Sequence, residues 1–584
     1  MLLQRLSEYA GRLDLPPTLY AQTPVRYIVE LDARGVLLSR QPVDTADPAQ
    51  PRAKFGQRYL MPQVQRSSGI KPLLFVGNAE YTLGLPRDPA KAARTAACHR
   101  AYVALVERCA GETGEPAVAA VLAFLQSDPA SLLDLGENFS LDANITFRVD
   151  GAFPTDLPRV QAFWAALNDP GAGDKEPTVM QCLVCGQERP VLARLQEKIK
   201  GIPGGQMAGT ALVSANAKAF ESYGLEASFI APSCAGCGER FTKAANDLLA
   251  KEATHYVLGG AAFVFWTRED NAFSLRTFLD DPKTEEVRAL LAAVHSPRPL
   301  PEVDSTAFYA AVLSASGGRA VVRDWLDTTV VEVKRQLALW FSRQNIVDDW
   351  GREHRPLGLY HLAAATVRDP AKELAPPTMR TLLHAAVAGT PLPTDLLVRA
   401  VRRNRAEQAI NHRRASLIKL VLSSREPQAK EDRMVRLDPG NVNPAYLCGR
   451  LLAVLEEAQV LAVPGAKATI VDRFFGTAST APASVFGRLL RGAQPHLAKL
   501  KRDRPGAHRA IQVRLEEVQA GLDGFPRILA LADQGRFAIG YYHQRAFDRA
   551  QALAAKERRQ AGLAAATEDD LSLLAENENT EEEK

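Results

Sequence analysis

Phe537-Ala538-Ile539-Gly540-Tyr541-Tyr542-His543-Gln544-Arg545 places two phenols, an imidazole, an amide and a guanidinium in five consecutive positions. Burying such groups is costly unless their polar ends find partners. The stretch opens a long run with apolar residues at helical spacing, so its neighbouring side chains must point to different faces of one helix. It reads as a packing and hydrogen-bonding device that fixes the last long helix in a bundle. Arg545 and Arg549 are its members best able to reach a phosphate.

Upstream, the same three- and four-residue spacing recurs over Ala400 to Leu422, Pro444 to Val460, Ala483 to Leu500 and Ala507 to Leu522, and then over Gly540 to Leu563. Pro439, Pro464, Pro505 and Pro526 mark breaks between them. The spacing predicts a helical connector over 346–433, a helical bundle over 434–567 and a disordered acidic tail over 568–584. Residues 1–345 mix helical and strand patterns and predict an α+β region. Val25 to Asp32 and Val36 to Ser39 flank Ala33-Arg34-Gly35 like a hairpin, and Phe308–Ser314 is joined to Arg319–Leu326 through Ala315-Ser316-Gly317-Gly318. Pro72 to Val76, Ile145 to Val149 and Ala262 to Trp266 read as further strands.

A chain of 584 residues exceeds what one hydrophobic core organises. Its longest strongly apolar stretch, Tyr256 to Trp266, is too short to span a bilayer, and the N-terminus lacks the pattern of a secretory signal, which predicts a cytoplasmic protein with no membrane partner. The net charge of +4 hides a division: eight acids against one lysine give −7 over Glu568 to Lys584, leaving +11 on residues 1–567. A basic body favours a polyanionic partner.

Cys182-x-x-Cys185 and Cys234-x-x-Cys237 form two knuckles, each followed by a glycine, Gly186 or Gly238. In a reducing compartment, thiolates in two such pairs fit a closed tetrahedral zinc site better than disulfides, and predict a four-cysteine insert over about 178–250. Four unliganded thiols are the alternative. A four-sulfur site has no open position, so its zinc would be structural.

No His-Glu-x-x-His occurs, and the glycine-rich Gly201 to Gly209 lacks the Gly-Lys-Ser/Thr ending of a phosphate loop. Asp280-Asp281 and Asp348-Asp349 are the closest acidic pairs, and both sit at element ends where aspartates cap or turn. The sequence therefore predicts no catalytic residue. A zinc-stabilised, metal-dependent nuclease whose acids converge from distant positions is the alternative.

Several blocks resemble one family, the large subunit of the type I-C CRISPR Cascade complex, an RNA-guided DNA surveillance assembly. They are Met1–Leu6 leading into Tyr27–Asp32, Asn78–Gly84, Ala219-Phe220-Glu221-Ser222-Tyr223-Gly224, Leu437–Leu451, and the tyrosine segment itself. The resemblance implies a non-catalytic subunit that reads the PAM, the short duplex motif beside the target, helps to open the DNA and holds the displaced strand. It implies partners as well: Cascade backbone and crRNA-processing subunits, CRISPR RNA, target double-stranded DNA and a separate helicase-nuclease. It further implies that the bundle is equivalent to Cascade's small subunit and can be made separately from the same gene, with Met434 a candidate start.

Reading base edges calls for small or polar groups, with amines for phosphates. Ser67, Ser68, Gly69 and Lys71 with Asn78 form the first candidate loop, Gln206 with Asn216 and Lys218 a second, and Arg319 beside Gly317-Gly318 a third. Phosphate contacts are expected from Arg402 and Arg403, from Arg488, Arg491, Lys499 and Arg502, and from Arg545 and Arg549. Such contacts make binding salt-sensitive and weakly sequence-sensitive.

Overall fold

The structure, a computed structural model, describes residues 2–17, 19–46, 55–64, 69–168, 177–195, 197–258, 260–295, 306–425 and 434–581, with side chains of the final helix described to 558. The fold is mixed α+β. Its contacts divide the chain into two units, one of Met1–Tyr256, Gly260–Arg268 and Ala311–Trp325, the other of Val257–Gly259, Glu269–Ala310 and Leu326–Lys584.

In the first unit, Tyr20–Val25 (β1), Tyr27–Leu31 (β2), Val43–Asp44 (β3), Gln57–Pro62 (β4), Val76–Gly77 (β5) and Ile145–Val149 (β6) form a β1-β4 pair and a sheet of order β3-β2-β6-β5. Strands β2 and β6 run parallel, with Tyr27 opposite Ile145 and Leu31 opposite Val149. A parallel pair needs a long crossover. Here it includes the helices Ala92–Thr113 and Pro116–Gln126, whose Tyr102, Val106, Val121 and Phe124 join Val29, Leu31 and Phe147 in one buried core.

The first expected hairpin is only partly realised. Asp32 does close a tight turn, its Oδ1 accepting from the backbone N–H groups of Arg34 and Val36 at 2.9 Å each. Beyond it, one bridge joins Leu31 to Leu37, and the antiparallel partner of β2 is β3. Pro42 has no N–H with which to carry the pairing further back. The strand expected over Pro72 to Val76 shrinks to β5, because Phe75 at φ +56° turns the chain out of the extended region.

Val179–Gln181 (β7) and Glu188–Pro190 (β8) make a small hairpin, followed by the helix Ala235–Ala250 (α1). His255–Leu258 (β9), Ala261–Thr267 (β10), Ala307–Ser316 (β11) and Arg319–Thr329 (β12) form a sheet of order β12-β11-β10-β9. The β11–β12 turn is made by the two expected glycines, Gly317 at φ +59° and Gly318.

The second unit is chiefly helical. Its centre is Pro444–Ala462 (α2), buried almost all round and capped by the Asn443 side chain, which accepts from the Ala445 and Tyr446 N–H groups. The core around it takes Phe475, Phe486, Leu489, Leu497, Leu500, Ile511, Leu515 and Phe537. These come from Ile470–Ala478 (α3), Phe486–Asp503 (α4), Pro505–Ala520 (α5) and Leu531–Glu581 (α6). The single helix expected over Ala400 to Leu422 is two, Thr394–Glu407 and His412–Ser423, broken where Gln408 turns left-handed at φ +53° and Asn411 caps the next start. Helix α6 spans Leu531–Glu581.

The tyrosine segment finds its partners within this unit. Tyr541 donates to Glu456 Oε2 at 2.6 Å, Tyr542 to the Val347 carbonyl at 2.9 Å, and His543 Nδ1 lies 3.0 Å from the Tyr446 hydroxyl. Gln544 accepts from Arg450 Nε at 3.0 Å and donates to Asp548 at 3.0 Å. Two glycines allow this close crossing of α2 and α6. A Cβ on Gly540 would overlap the Tyr446 carbonyl, and one on Gly449 the Phe537 carbonyl.

Candidate nucleic-acid interface and metal centre

The β7–β8 hairpin exists to turn the chain at Cys182 and Cys185, with Gly186 at φ +73° and its N–H donating to the Cys182 carbonyl at 2.8 Å. Cys234 stands at the N-cap of α1 and Cys237 in its first turn. All four sulfurs lie within 4.8 Å of one another. A tetrahedral metal with sulfur at about 2.3 Å requires sulfurs about 3.8 Å apart, so the set fits one metal ion with small adjustments. Burial disfavours the Cys182 thiolate, but N–H groups of Cys185, Cys234 and Val184 outweigh it and bring the thiol down to about 7. The donor set is soft and complete, which suits zinc or an iron–sulfur centre in preference to a hard cation.

Of the first loop, Ser67 and Ser68 lie outside the described residues. Gly69 is exposed at φ +85° with open space about it, and Lys71 is exposed. Asn78 caps the short helix Ala79–Thr82 through its carbonyl, which accepts from the Tyr81 and Thr82 N–H groups at 3.0 Å. Its Oδ1 is buried and has no partner among the described residues.

The second and third loops converge. Ala211 donates to the Gly318 carbonyl and accepts from Ala320 N–H, both at 2.8 Å, which straps 199–211 beside the start of β12. The Gln206 side chain lies over Gly318, close enough that a Cβ there would stand 3.3 Å from its Oε1. The Arg319 guanidinium sits 3.3 Å above the centre of the Phe220 ring. Asn216 and Lys218 are exposed on the same loop as Phe220. Gln206 and Arg319 thus flank one turn, and Arg319 reaches across to the loop that carries Asn216 and Lys218.

On α4, Arg488, Arg491, Lys499 and Arg502 recur at three- and four-residue steps with Pro495 between them, and all are exposed. Phe486, Leu489, Ala493, Leu497 and Leu500 form the buried stripe. At about 100° per residue the two stripes lie on opposite sides of the helix, so the basic one faces solvent along its length. Arg488 also packs 5.5 Å from the Phe474 ring, and Arg502 pairs with Asp503 at 2.7 Å.

The other arginines differ. Arg402 is exposed, whereas Arg403 is held by Glu407, which also binds the buried Arg414. Arg545 is 19 % exposed at its side chain, with Nη1 2.8 Å from Glu457 and Nε 3.6 Å from Glu456. Its guanidinium is tied into the bundle instead of being free for a phosphate. Glu456 and Glu457 lie on α2, far away in sequence, and nothing near the segment announces them. Arg549 is 3.7 Å from Asp349 and remains about two-fifths exposed.

Asp348 Oδ1 accepts from the Trp350 and Arg352 N–H groups at 2.8 and 2.9 Å, and Asp280 pairs with Arg276 at 2.9 Å. These are turn and cap roles. Among the described residues, the cysteine set is the one group of three or more His, Cys, Asp or Glu close enough to share a metal.

A family model described as CRISPR-associated protein (Cas_Csd1) matches residues 3–547. The chain belongs to this Csd1 family. The match is consistent with a type I-C Cascade large subunit and makes the chain a CRISPR-associated Cascade subunit, with Cascade components and CRISPR RNA as its general partners. Csd1-type subunits are generally non-catalytic. A search of curated proteins gave no match. Among the described residues of this Csd1 chain, no helix is long and apolar enough to cross a membrane.

Proposed function

We propose that this chain is the PAM-reading, non-catalytic large subunit of a type I-C Cascade. In this reading the first unit reads duplex DNA through Gly69, Lys71 and Asn78 with the adjoining Ser67 and Ser68, and through the surface that gathers Gln206, Asn216, Lys218 and Arg319. The α4 stripe of Arg488, Arg491, Lys499 and Arg502, with Arg402 and Arg549, holds the displaced strand by its phosphates. The observation that carries the reading is the convergence of the exposed Gln206 and the half-buried Arg319 at the β11–β12 turn in a chain of this family. Small polar groups beside a guanidinium suit contact with base edges and backbone together.

Zinc is the proposed occupant of the Cys182, Cys185, Cys234 and Cys237 site. When bound, it would supply a cross-link between the β7–β8 hairpin and the start of α1 and no chemistry of turnover. Recruitment of a separate helicase-nuclease follows once the strands are apart, and the helical bundle made on its own serves as a small subunit.

Target binding by the reconstituted complex across a library of PAM sequences tests the assignment. Lys71→Ala, Asn78→Ala and Gln206→Ala should weaken binding to closed duplexes and spare targets already opened beside the PAM. Unchanged PAM preference in all three variants would remove these loops from PAM reading.

A further inference from the structure

The loop between Ala215 and Ala227 is pinched at its neck, where Ala215 N–H donates to the Ala227 carbonyl at 2.8 Å. Its tip is a tight turn, with Leu225 N–H donating to the Ser222 carbonyl at 2.9 Å and positive φ at both central residues, Tyr223 at +53° and Gly224 at +71°. Turns of this kind favour asparagine, aspartate or glycine at the first of these positions, since a Cβ there is strained. A tyrosine occupies it and is 99 % exposed. Folding gains nothing from the ring: it buries no surface and sits in a conformation its side chain disfavours.

Three residues earlier, Phe220 is 44 % exposed under the Arg319 guanidinium. A planar cation on one face of a ring leaves its own outer face free for another flat group. Lys218 and Arg319 supply positive charge, set against Glu221 and Glu226 on the same loop. Charge alone therefore attracts a polyanion weakly here, and flat π-surface is what the loop offers. Sequence-tolerant stacking of bases on aromatic rings and guanidinium planes uses such a surface.

We infer that Tyr223 and the Arg319–Phe220 pair form a stacking platform for unpaired bases of DNA. The inference rests on the DNA-binding reading above and adds the ligand chemistry of this loop: single-stranded bases, held chiefly by stacking.

The test uses the reconstituted complex and a target already opened beside the PAM, with 2-aminopurine placed in turn at each unpaired position. Stacking quenches the probe, so wild type should show quenching at one or two adjacent positions. Tyr223→Gly, which also suits the turn's backbone, should relieve the quenching and weaken binding about 5- to 150-fold, the range expected for losing one stacked base. Tyr223→Phe should keep both properties, and Tyr223→Ala should behave as the glycine variant does. No quenching in wild type, or full quenching with wild-type affinity in Tyr223→Gly, would overturn the platform. So would a Tyr223→Gly chain that leaves the complex yet binds single-stranded DNA normally, since the ring would then contact a protein subunit. A pre-opened target needs no PAM reading, so failure of the PAM loops leaves this result standing, and the converse holds.

Discussion

Gly540 lies against the Tyr446 main chain so closely that no side chain fits between the two helices. The contact brings the tyrosine segment within hydrogen-bonding reach of α2. Gly540→Ala should therefore destabilise the helical unit by about 1–3 kcal/mol or more, because the clash is with backbone that cannot rotate away. Gly492→Ala on the open face of α4 is the matched control, where a Cβ meets nothing and helix propensity favours alanine by about 0.5–1 kcal/mol. Thermal or denaturant unfolding of the two variants should move in opposite directions.

Acid should weaken the same unit. Burial pushes the His543 imidazole down to about 3 and His412 to about 4. In the unfolded chain both rings take protons near pH 6.5, so as pH falls from there the unfolded state binds protons that the folded state refuses, and stability is lost. Asp548 works the other way. Burial raises its carboxyl to about 6, so the folded chain binds that proton first and gains stability as pH falls from about 6 toward 4. The two histidines outweigh the one aspartate, so the net effect between about pH 6 and 4 is a loss of stability as pH falls. Melting curves at pH 7, 6 and 5 should show this fall in wild type and a flatter profile in His543→Gln.

Purified protein should carry one zinc per chain, lost in Cys182→Ser or Cys234→Ser. Metal analysis of the wild type reporting no zinc or other metal in a folded chain would leave the four thiols unliganded. Chelation should lower the stability of the first unit, because the β7–β8 hairpin is too small to hold its place alone.

On the α4 stripe, replacing Arg488, Arg491, Lys499 and Arg502 together with alanine should reduce the slope of log K against log salt for single-stranded DNA by about 3, at roughly 0.7 per lost phosphate contact. Arg545→Gln should instead cost stability, since it leaves Glu456 and Glu457 without their cation. A full salt slope in the fourfold variant would show the stripe to be merely solvated.

What was legible in the sequence followed from local rules. Period-3.6 patterns gave the helices of the second unit, Gly317-Gly318 gave the β11–β12 turn, and Ile145 to Val149 is a strand with the expected ends. The paired Cys-x-x-Cys motifs located the sulfur cluster because two residues fix the bite of each knuckle. What escaped was set by distant partners. Glu456 meets Tyr541 and Arg545 only because two glycines let α2 and α6 touch. The parallel pairing of β2 with β6 is a non-local choice that no pattern within either strand expresses. Similarly, Phe220 and Arg319 lie about a hundred residues apart in the chain, and nothing in the local residue pattern brings them together.

Helix α6 has a further consequence for any polypeptide begun at Met434. Gly535 nestles among Leu397, Ile418 and Leu422, and Tyr542 reaches the Val347 carbonyl, all upstream of that methionine. A shortened product would be born with an apolar seam along its longest helix and an orphaned phenol in the first part of it. Its persistence in solution would depend on a surrogate for residues 394–423, supplied by a neighbouring subunit or a second copy. Assembly would then be a condition of the fragment's folding as well as its purpose.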